Sequence, residues 1–205
     1  MSSTTRTFVA IPVPTTLDLK LSRLQAQLAG EAPEGNWVVT PPFHITLAFL
    51  GDVHISDLKP VCLAVAEAAG PFHRFELKLE SPSAFPTPER PRVAWLAVAG
   101  AELETLAALQ RAVAEAVGKV NYPAESRPFH AHVTLGRFSP GRKAAQDRTA
   151  LFNHYKTWHA GPFTASEVVV FSSSETRQGN AYVPLGHTSL RGIAQARGER
   201  GPTNR

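Results

Sequence analysis

The sequence predicts an α+β fold of two pseudo-symmetric lobes, each an antiparallel sheet with helices on its outer face, and an active site in the central cleft. One observation behind this is that short runs rich in apolar and β-branched residues alternate with helical segments whose leucines recur every three or four positions. The other is a repeat, because the order strand, helix, loop, strand occurs twice along the 205 residues. Each copy ends in a strand that contains His-x-Thr-Leu.

The first copy lies in the N-terminal part of the chain. Leucines at positions 17, 21, 24 and 28 indicate its first helix, and Gly30 is a common stop signal. The predicted elements are a strand at residues 7–13, a helix at 17–30, strands at 37–39 and 43–51, and a helix at 56–69.

The second copy begins near residue 75 and has the clearest helix of the chain. The predicted elements are a strand at 75–79, a turn-rich stretch at 81–91, a strand at 93–98, a helix at 101–118, a strand within 129–138, and closing strands at 168–172 and 181–185. Residues 139–161 show no clear pattern. We expect residues 1–190 to form one bilobal domain and residues 191–205 to form a basic, disordered tail.

The composition is that of a globular protein, with 43% hydrophobic and 19% charged residues. The formal net charge of +4 favours an anionic partner without identifying one. A single cysteine, Cys62, excludes an internal disulfide. The sequence shows neither a membrane span nor a signal peptide, so we expect a cytoplasmic protein. We also expect a monomer. Trp37, Trp95 and Trp158 are expected in the core.

The repeated motif indicates a chemical surface. Side chains alternate along a strand, so His44 and Thr46 share one face of the first motif strand, and His132 and Thr134 share one face of the second. Two imidazoles that face one pocket can act as acid and base near neutral pH, and threonine hydroxyls can donate hydrogen bonds to phosphate oxygens. One such motif is usually structural, but two copies at equivalent places predict catalysis of phosphodiester transfer.

The segments FHITLAFLG and FHAHVTLGRF resemble the paired signatures of the two-histidine (2H) phosphoesterase superfamily, in its branch of RNA 2′,3′-cyclic phosphodiesterases, which are also called 2′-5′ RNA ligases. The similarity covers residues 6–190. It implies hydrolysis of RNA 2′,3′-cyclic phosphate ends to a terminal 2′-phosphate, with reversible 2′-5′ ligation as a further activity. It also implies that His44 is the proton donor and His132 the proton acceptor, without a metal or other cofactor. RNA or an oligonucleotide with such an end is the expected partner.

Three residues near the motifs are further candidates for substrate contact. Phe49 and Arg137 each follow their motif histidine by five positions. Strict alternation places both side chains on the face opposite the histidine, unless strand twist or a bulge changes their direction. The resemblance implies that Arg137 binds the phosphate or the base, whereas Phe49 is either a base-stacking residue or part of the core. His130 departs from the family pattern, which often has a basic residue there. Together with His132 it could ligate a metal, although no acidic residue lies nearby to complete the site.

Two other functions remain open from the sequence. The same chemistry would serve a cyclic phosphodiesterase that acts on small nucleotides or ADP-ribose derivatives. A protein of another class, a non-catalytic module that binds RNA ends, could keep the same cleft. The two intact motifs argue against the second alternative, because a binder does not need two titratable groups at one phosphate.

Overall fold

The computed structural model of the chain describes residues 3–37, 42–125, 128–138, 146–176 and 179–193. These residues form nine strands and four α-helices. In chain order they are β1 (Thr4–Pro12), α1 (Asp18–Glu31), β2 (Gly35–Asn36), β3 (His44–His54), α2 (Leu58–Ala69), β4 (Phe75–Phe85), β5 (Val93–Ala99), α3 (Leu103–Lys119), β6 (His132–Phe138), α4 (Thr149–His154), β7 (His159–Ala165), β8 (Glu167–Thr176) and β9 (Gly179–Ser189). Among the described helices, none is both long enough and apolar enough to cross a membrane.

The strands form one antiparallel sheet in the order β7-β4-β5-β6-β3-β1-β8-β9, and the short strand β2 pairs with β6. At the centre, β3 and β6 are joined by the pair Ile45 and Val133. We call β3, β1, β8 and β9 the first half-sheet, and β6, β5, β4 and β7 the second half-sheet. Each half-sheet has four strands, with its motif strand at the centre of the whole sheet and the strand that precedes α1 or α3 in the same copy, β1 or β5, next to it. The predicted α+β fold of two antiparallel lobes is confirmed.

The helices cover one side of the sheet, and the two that precede the motif strands, α1 and α3, are exchanged between the two copies. α2 packs against β8 and β9, and α3 packs against β3, so both cover the first half-sheet. α4 packs against β4, and the Lys20 side chain of α1 donates a hydrogen bond of 2.9 Å to the Ala160 carbonyl of β7. Of the helices that precede the motif strands, α1 of the first copy therefore covers the second half-sheet, and α3 of the second copy covers the first half-sheet.

Apolar periodicity explains how these helices seal the core. The buried side chains of α1 are Leu21, Leu24 and Leu28, and those of α3 are Leu106, Leu109, Val113 and Val117. They meet the apolar faces of the motif strands, where Ile45, Leu47, Val133 and Leu135 are at most 3% exposed. Burial of this many aliphatic side chains is the main stabilising contribution to the fold. The opposite face of each motif strand is not covered by these helices.

The expectation of turns from residue 81 is wrong, because β4 continues to Phe85. The register with β5 shifts between Glu80 and Pro82, and the intervening Ser81 has a φ of 46°. This bulge accommodates a proline, which has no N–H to donate to a neighbouring strand. The stretch without a clear pattern contains α4 and the start of β7.

One further strand, that predicted at residues 37–39, differs from the prediction. Trp37 follows β2 instead of starting a strand, and its indole Nε1 donates to the Ala32 carbonyl (2.7 Å) at the end of α1. Residues 38 and 39 lie outside the described part. The second motif strand, β6, lies within the predicted segment and begins at His132. In the predicted tail, Arg191 and Gly192 donate backbone hydrogen bonds to residues 70 and 72, and residues 194–205 lie outside the described part.

Candidate active site

His44 and His132 are the first residues of β3 and β6, the two strands that meet at the centre of the sheet. The residues next to them, Ile45 and Val133, form the pair that joins the half-sheets and point into the core. Because side chains alternate along a strand, both histidines lie on the opposite face. The duplicated motif therefore brings two imidazoles to the place where the two half-sheets meet.

The threonines of the motifs complete this arrangement. If the register of the central pair is continued, His44 lies opposite Thr134, and Thr46 lies opposite His132. The two histidines are then diagonal neighbours, whose Cα atoms in a regular pair are about 7–8 Å apart. All four side chains are partly exposed, in contrast to the buried residues between them. Two imidazoles and two hydroxyls can thus reach one phosphate group.

Each imidazole is held by a backbone carbonyl two residues before it. His44 Nδ1 bonds to the Pro42 oxygen at 2.9 Å, and His132 Nδ1 bonds to the His130 oxygen at 2.7 Å. A carbonyl oxygen can only accept, so Nδ1 carries the proton in both rings. Nε2 is therefore the ring nitrogen that can take up or release a proton.

Aromatic rings surround both histidines. The ring of His44 lies 4.9 Å from that of Phe8 and 5.2 Å from that of Tyr182. The ring of His132 lies 5.0 Å from that of Phe85. These contacts limit the access of water to the imidazoles and restrict their orientations. The strands that carry the aromatic residues flank the motif strands or lie further out in the same half-sheet, so the surroundings of the two histidines are similar.

Burial lowers the pKa of both imidazoles below the usual value, and it is the largest cause in each case. The hydrogen bonds to the carbonyls of Pro42 and His130 act in the opposite direction, since they favour the charged ring. Nearby positive charge lowers both values further: His132 acts on His44, while His130 and Arg137 act on His132. Protonation of one imidazole thus opposes protonation of the other, which favours the singly protonated pair.

A bulge in β3 turns Phe49 to the histidine face. In the register with β1, Thr46 and Ala48 face consecutive residues, and Leu47 between them is an extra residue. Such an insertion shifts the alternation of side chains by one position. Phe49 then pairs with Phe8, two residues from the partner of Thr46, and its side chain is 52% exposed. It is therefore not a core residue.

An equivalent bulge in β6 turns Arg137 to the same face. Thr134 and Gly136 face consecutive residues of β5, and Leu135 is the extra residue. Arg137 pairs with Val93, two residues from the partner of Thr134, and is exposed. The positive charge of Arg137 is one of the causes that lower the pKa of His132. Both strands use the same irregularity at the same motif position.

His130 and Trp95 lie beside His132. Their rings are 4.9 Å apart, and the ring of His130 is 6.4 Å from that of His132. Trp95 pairs with Thr134 and therefore lies on the histidine face, so the expectation that it belongs to the core is wrong. Alternation within β5 alone does not reveal which side faces the histidines. Within the described residues, no group of three or more His, Cys, Asp or Glu side chains is placed to hold a metal ion.

The geometry agrees with what comparison with known proteins finds. A model of the 2′-5′ RNA ligase superfamily matches residues 13–177. The chain belongs to this superfamily. Both histidine motifs, both bulges and all four helices lie inside the matched range.

Several relatives of this chain carry the name RNA 2′,3′-cyclic phosphodiesterase. The protein of Aeropyrum pernix is 32% identical over 168 residues, which are 81% of this chain and 92% of the relative. That of Methanothermobacter thermautotrophicus is 29% identical over 181 residues, which are 88% of this chain and 96% of the relative. A protein of the same name from Geobacillus stearothermophilus is 34% identical over 130 residues, and the chain spans 41% of its length.

Solved structures of similar shape include LigT of E. coli. Its apo form is 25% identical, with a TM-score of 0.70, and the match covers 92% of this chain and 99% of that one. A complex of LigT with ATP has the same identity, TM-score and coverage. A protein of Thermus thermophilus, 23% identical with a TM-score of 0.70 and with 92% and 100% coverage, shows the same fold.

Proposed function

We propose that this chain hydrolyses RNA ends that carry a 2′,3′-cyclic phosphate and leaves a terminal 2′-phosphate. The proposal rests on the pairing of β3 with β6, which places both His-x-Thr motifs on one face of the sheet. It is supported by the relatives named RNA 2′,3′-cyclic phosphodiesterase, two of which align over more than nine tenths of their length. The expected cytoplasmic location and monomeric state belong to the same proposal.

The proposed reaction requires a base that takes a proton from water and an acid that donates a proton to the leaving O3′. Nε2 of His132 accepts a proton from water while the water oxygen bonds to phosphorus. The bond between phosphorus and O3′ breaks, and Nε2–H of His44 donates its proton to O3′. Both Nδ1–H groups keep their carbonyl partners throughout. Exchange with solvent then returns the imidazoles to their starting states. An RNA 5′-hydroxyl in place of water would give a 2′-5′ linkage.

Charge that develops on the phosphate oxygens requires hydrogen-bond donors. The hydroxyls of Thr46 and Thr134 would donate to the two non-bridging oxygens, and the Arg137 guanidinium would add positive charge on the same face. Phe49 offers an exposed ring on which the terminal base can stack. His130 would hold His132 through its carbonyl oxygen. No metal ion is needed for any of these steps.

An assay of product chemistry tests the proposal. The purified protein would be incubated with EDTA and a short RNA that ends in a 2′,3′-cyclic phosphate, and ³¹P NMR would identify the product. We expect complete conversion to the 2′-phosphate in EDTA. Loss of turnover that Zn²⁺ or Mn²⁺ restores would contradict the metal-independent mechanism. Preference for a cyclic mononucleotide or an ADP-ribose cyclic phosphate would favour the small-nucleotide alternative, and tight binding without turnover would favour the binding module.

The pH dependence of kcat/KM follows from the lowered imidazole pKa values. The reactive free enzyme is singly protonated, and both imidazoles titrate below about 6.5, their ordinary value. Above that pH the singly protonated fraction falls, so we expect kcat/KM to decrease about tenfold per unit between pH 7 and 8. The cyclic phosphate diester keeps one negative charge over this range. An optimum above pH 7.5 would contradict the assignment.

Replacement of Arg137 by alanine should weaken substrate binding more than chemistry. Arg137 holds positive charge beside the reacting phosphate in both the ground state and the transition state, and shared binding appears mainly in KM. We expect KM to rise roughly tenfold with kcat within about threefold of the wild type. Steady-state kinetics on the cyclic-phosphate RNA provide the measurement. A fall in kcat at unchanged KM would contradict a binding role.

A further inference from the structure

Each of the two bulges accepts a side-chain hydrogen bond from a helix. Gln25 Nε2 in α1 donates to the carbonyl of Leu135 at 2.6 Å, and Gln110 Nε2 in α3 donates to the carbonyl of Leu47 at 3.2 Å. Leu135 and Leu47 are the extra residues of the bulges and have no register partner in the neighbouring strands. In each strand, a glutamine therefore satisfies the carbonyl that the bulge leaves out of the strand pairing.

The glutamines occupy equivalent places in the repeat. Both helices carry the pattern Leu-x-x-Leu-Gln-x-x-Leu/Val, over residues 21–28 in α1 and 106–113 in α3. The apolar positions of each pattern are buried, which fixes the side of the helix from which the glutamine extends. Since the helices are exchanged, the glutamine of each copy bonds to the motif strand of the other copy. Coincidental polar contacts would not be expected to repeat in this way.

We propose that Gln25 and Gln110 are positioning residues that stabilise the bulges and so aim Arg137 and Phe49 at the substrate. This inference rests on the proposed function. Arg137 lies two residues after Leu135, and Phe49 lies two residues after Leu47. Without the bulge, each strand would slip by one position, and such a slip turns a side chain to the opposite face of the sheet.

The alternative state of the strand becomes accessible when the glutamine is lost. A buried carbonyl without a donor costs free energy comparable to a lost hydrogen bond, and a strand can avoid this cost by giving up its bulge. The two histidines precede the bulges and keep their positions in the register. Loss of Gln25 should therefore affect Arg137, and loss of Gln110 should affect Phe49, while the acid and base remain in place.

The test is a pair of double-mutant cycles on the cyclic-phosphate RNA. Gln25→Met keeps the length of the side chain and removes the donor, and Gln27→Met, at an exposed position of the same helix, is the matched control. We expect Gln25→Met to raise KM roughly tenfold with little change in kcat, because a displacement of about 1 Å has effects of this order or larger. Gln27→Met should match the wild type.

The coupling between sites separates positioning from general stabilisation. In the background of Arg137→Ala, Gln25→Met should cause almost no further rise in KM, since it acts through Arg137. Gln110→Met should show the same relation to Phe49→Ala and should be additive with Arg137→Ala. Additive effects of Gln25 and Arg137, or a fall in kcat at wild-type KM, would overturn the inference.

Folding and the proposed function are checked separately. Circular dichroism and thermal melting report on the fold, and Gln110→Met decides the test if Gln25→Met does not fold. Failure of both variants to fold would show a structural role and overturn the inference. Wild-type turnover is measured first: its absence overturns the proposed function and this inference together, whereas additive cycles in an active enzyme overturn only this inference.

Discussion

Replacement of His44 or of His132 by alanine should lower kcat by about 10²–10⁴-fold, which is the usual contribution of a general acid or base. In the proposed mechanism, each imidazole exchanges a proton with the substrate or with water through Nε2. Both side chains lie on the face away from the apolar core, so the fold should tolerate the change. Kinetics on one cyclic-phosphate RNA, with circular dichroism as the folding control, provide the measurement.

The double mutant adds information about cooperation. If the two histidines act in one concerted step, His44→Ala/His132→Ala should be only modestly slower than either single variant, because the effects of residues that act as a unit are not additive. Near-wild-type rates for either single mutant would refute the paired assignment. Multiplied effects in the double mutant would instead indicate two independent contributions.

The second large effect is expected for the threonines. Thr46→Val and Thr134→Val keep the shape of the side chain and remove the hydroxyl donor. Because the proposed hydrogen bonds strengthen as charge develops on the phosphate oxygens, kcat should fall about 10²–10³-fold for each variant, as for other donors to a developing oxyanion. KM should change much less.

Matched serine variants provide the control for the threonines. Thr46→Ser and Thr134→Ser keep the hydroxyl and lose a methyl group, so they should retain most of the wild-type kcat. Equal losses in the serine and valine variants would indicate a packing role. Unchanged kcat in both valine variants would remove the threonines from the proposed mechanism.

Much of the site could be predicted because it depends on local rules. Alternation along a strand places His44 and Thr46 together whatever the rest of the fold does. The duplication supplies the second pair and the two-lobed architecture. In contrast, the faces of Phe49 and Arg137 depend on one inserted residue in each strand, and a bulge leaves no clear signal in the residues that form it.

Other features depend on contacts between distant segments. Trp95 reaches the site because of its register with Thr134, which the composition of β5 does not encode. The exchange of helices between half-sheets follows from tertiary packing, since α1 and α3 have apolar faces that would fit either half. For this reason the sequence alone does not assign contacts to Gln25 and Gln110, although the repeated Leu-Gln pair in the two helices is a usable signal.

The pH dependence of kcat/KM in the single histidine variants tests the central claim most directly. The wild type should give a bell-shaped profile, with one limb for the base and one for the acid. His44→Ala should lose the decrease at high pH, because no acid remains to be deprotonated, and His132→Ala should lose the decrease at low pH. Profiles with both limbs intact in either variant would contradict acid and base catalysis by this pair.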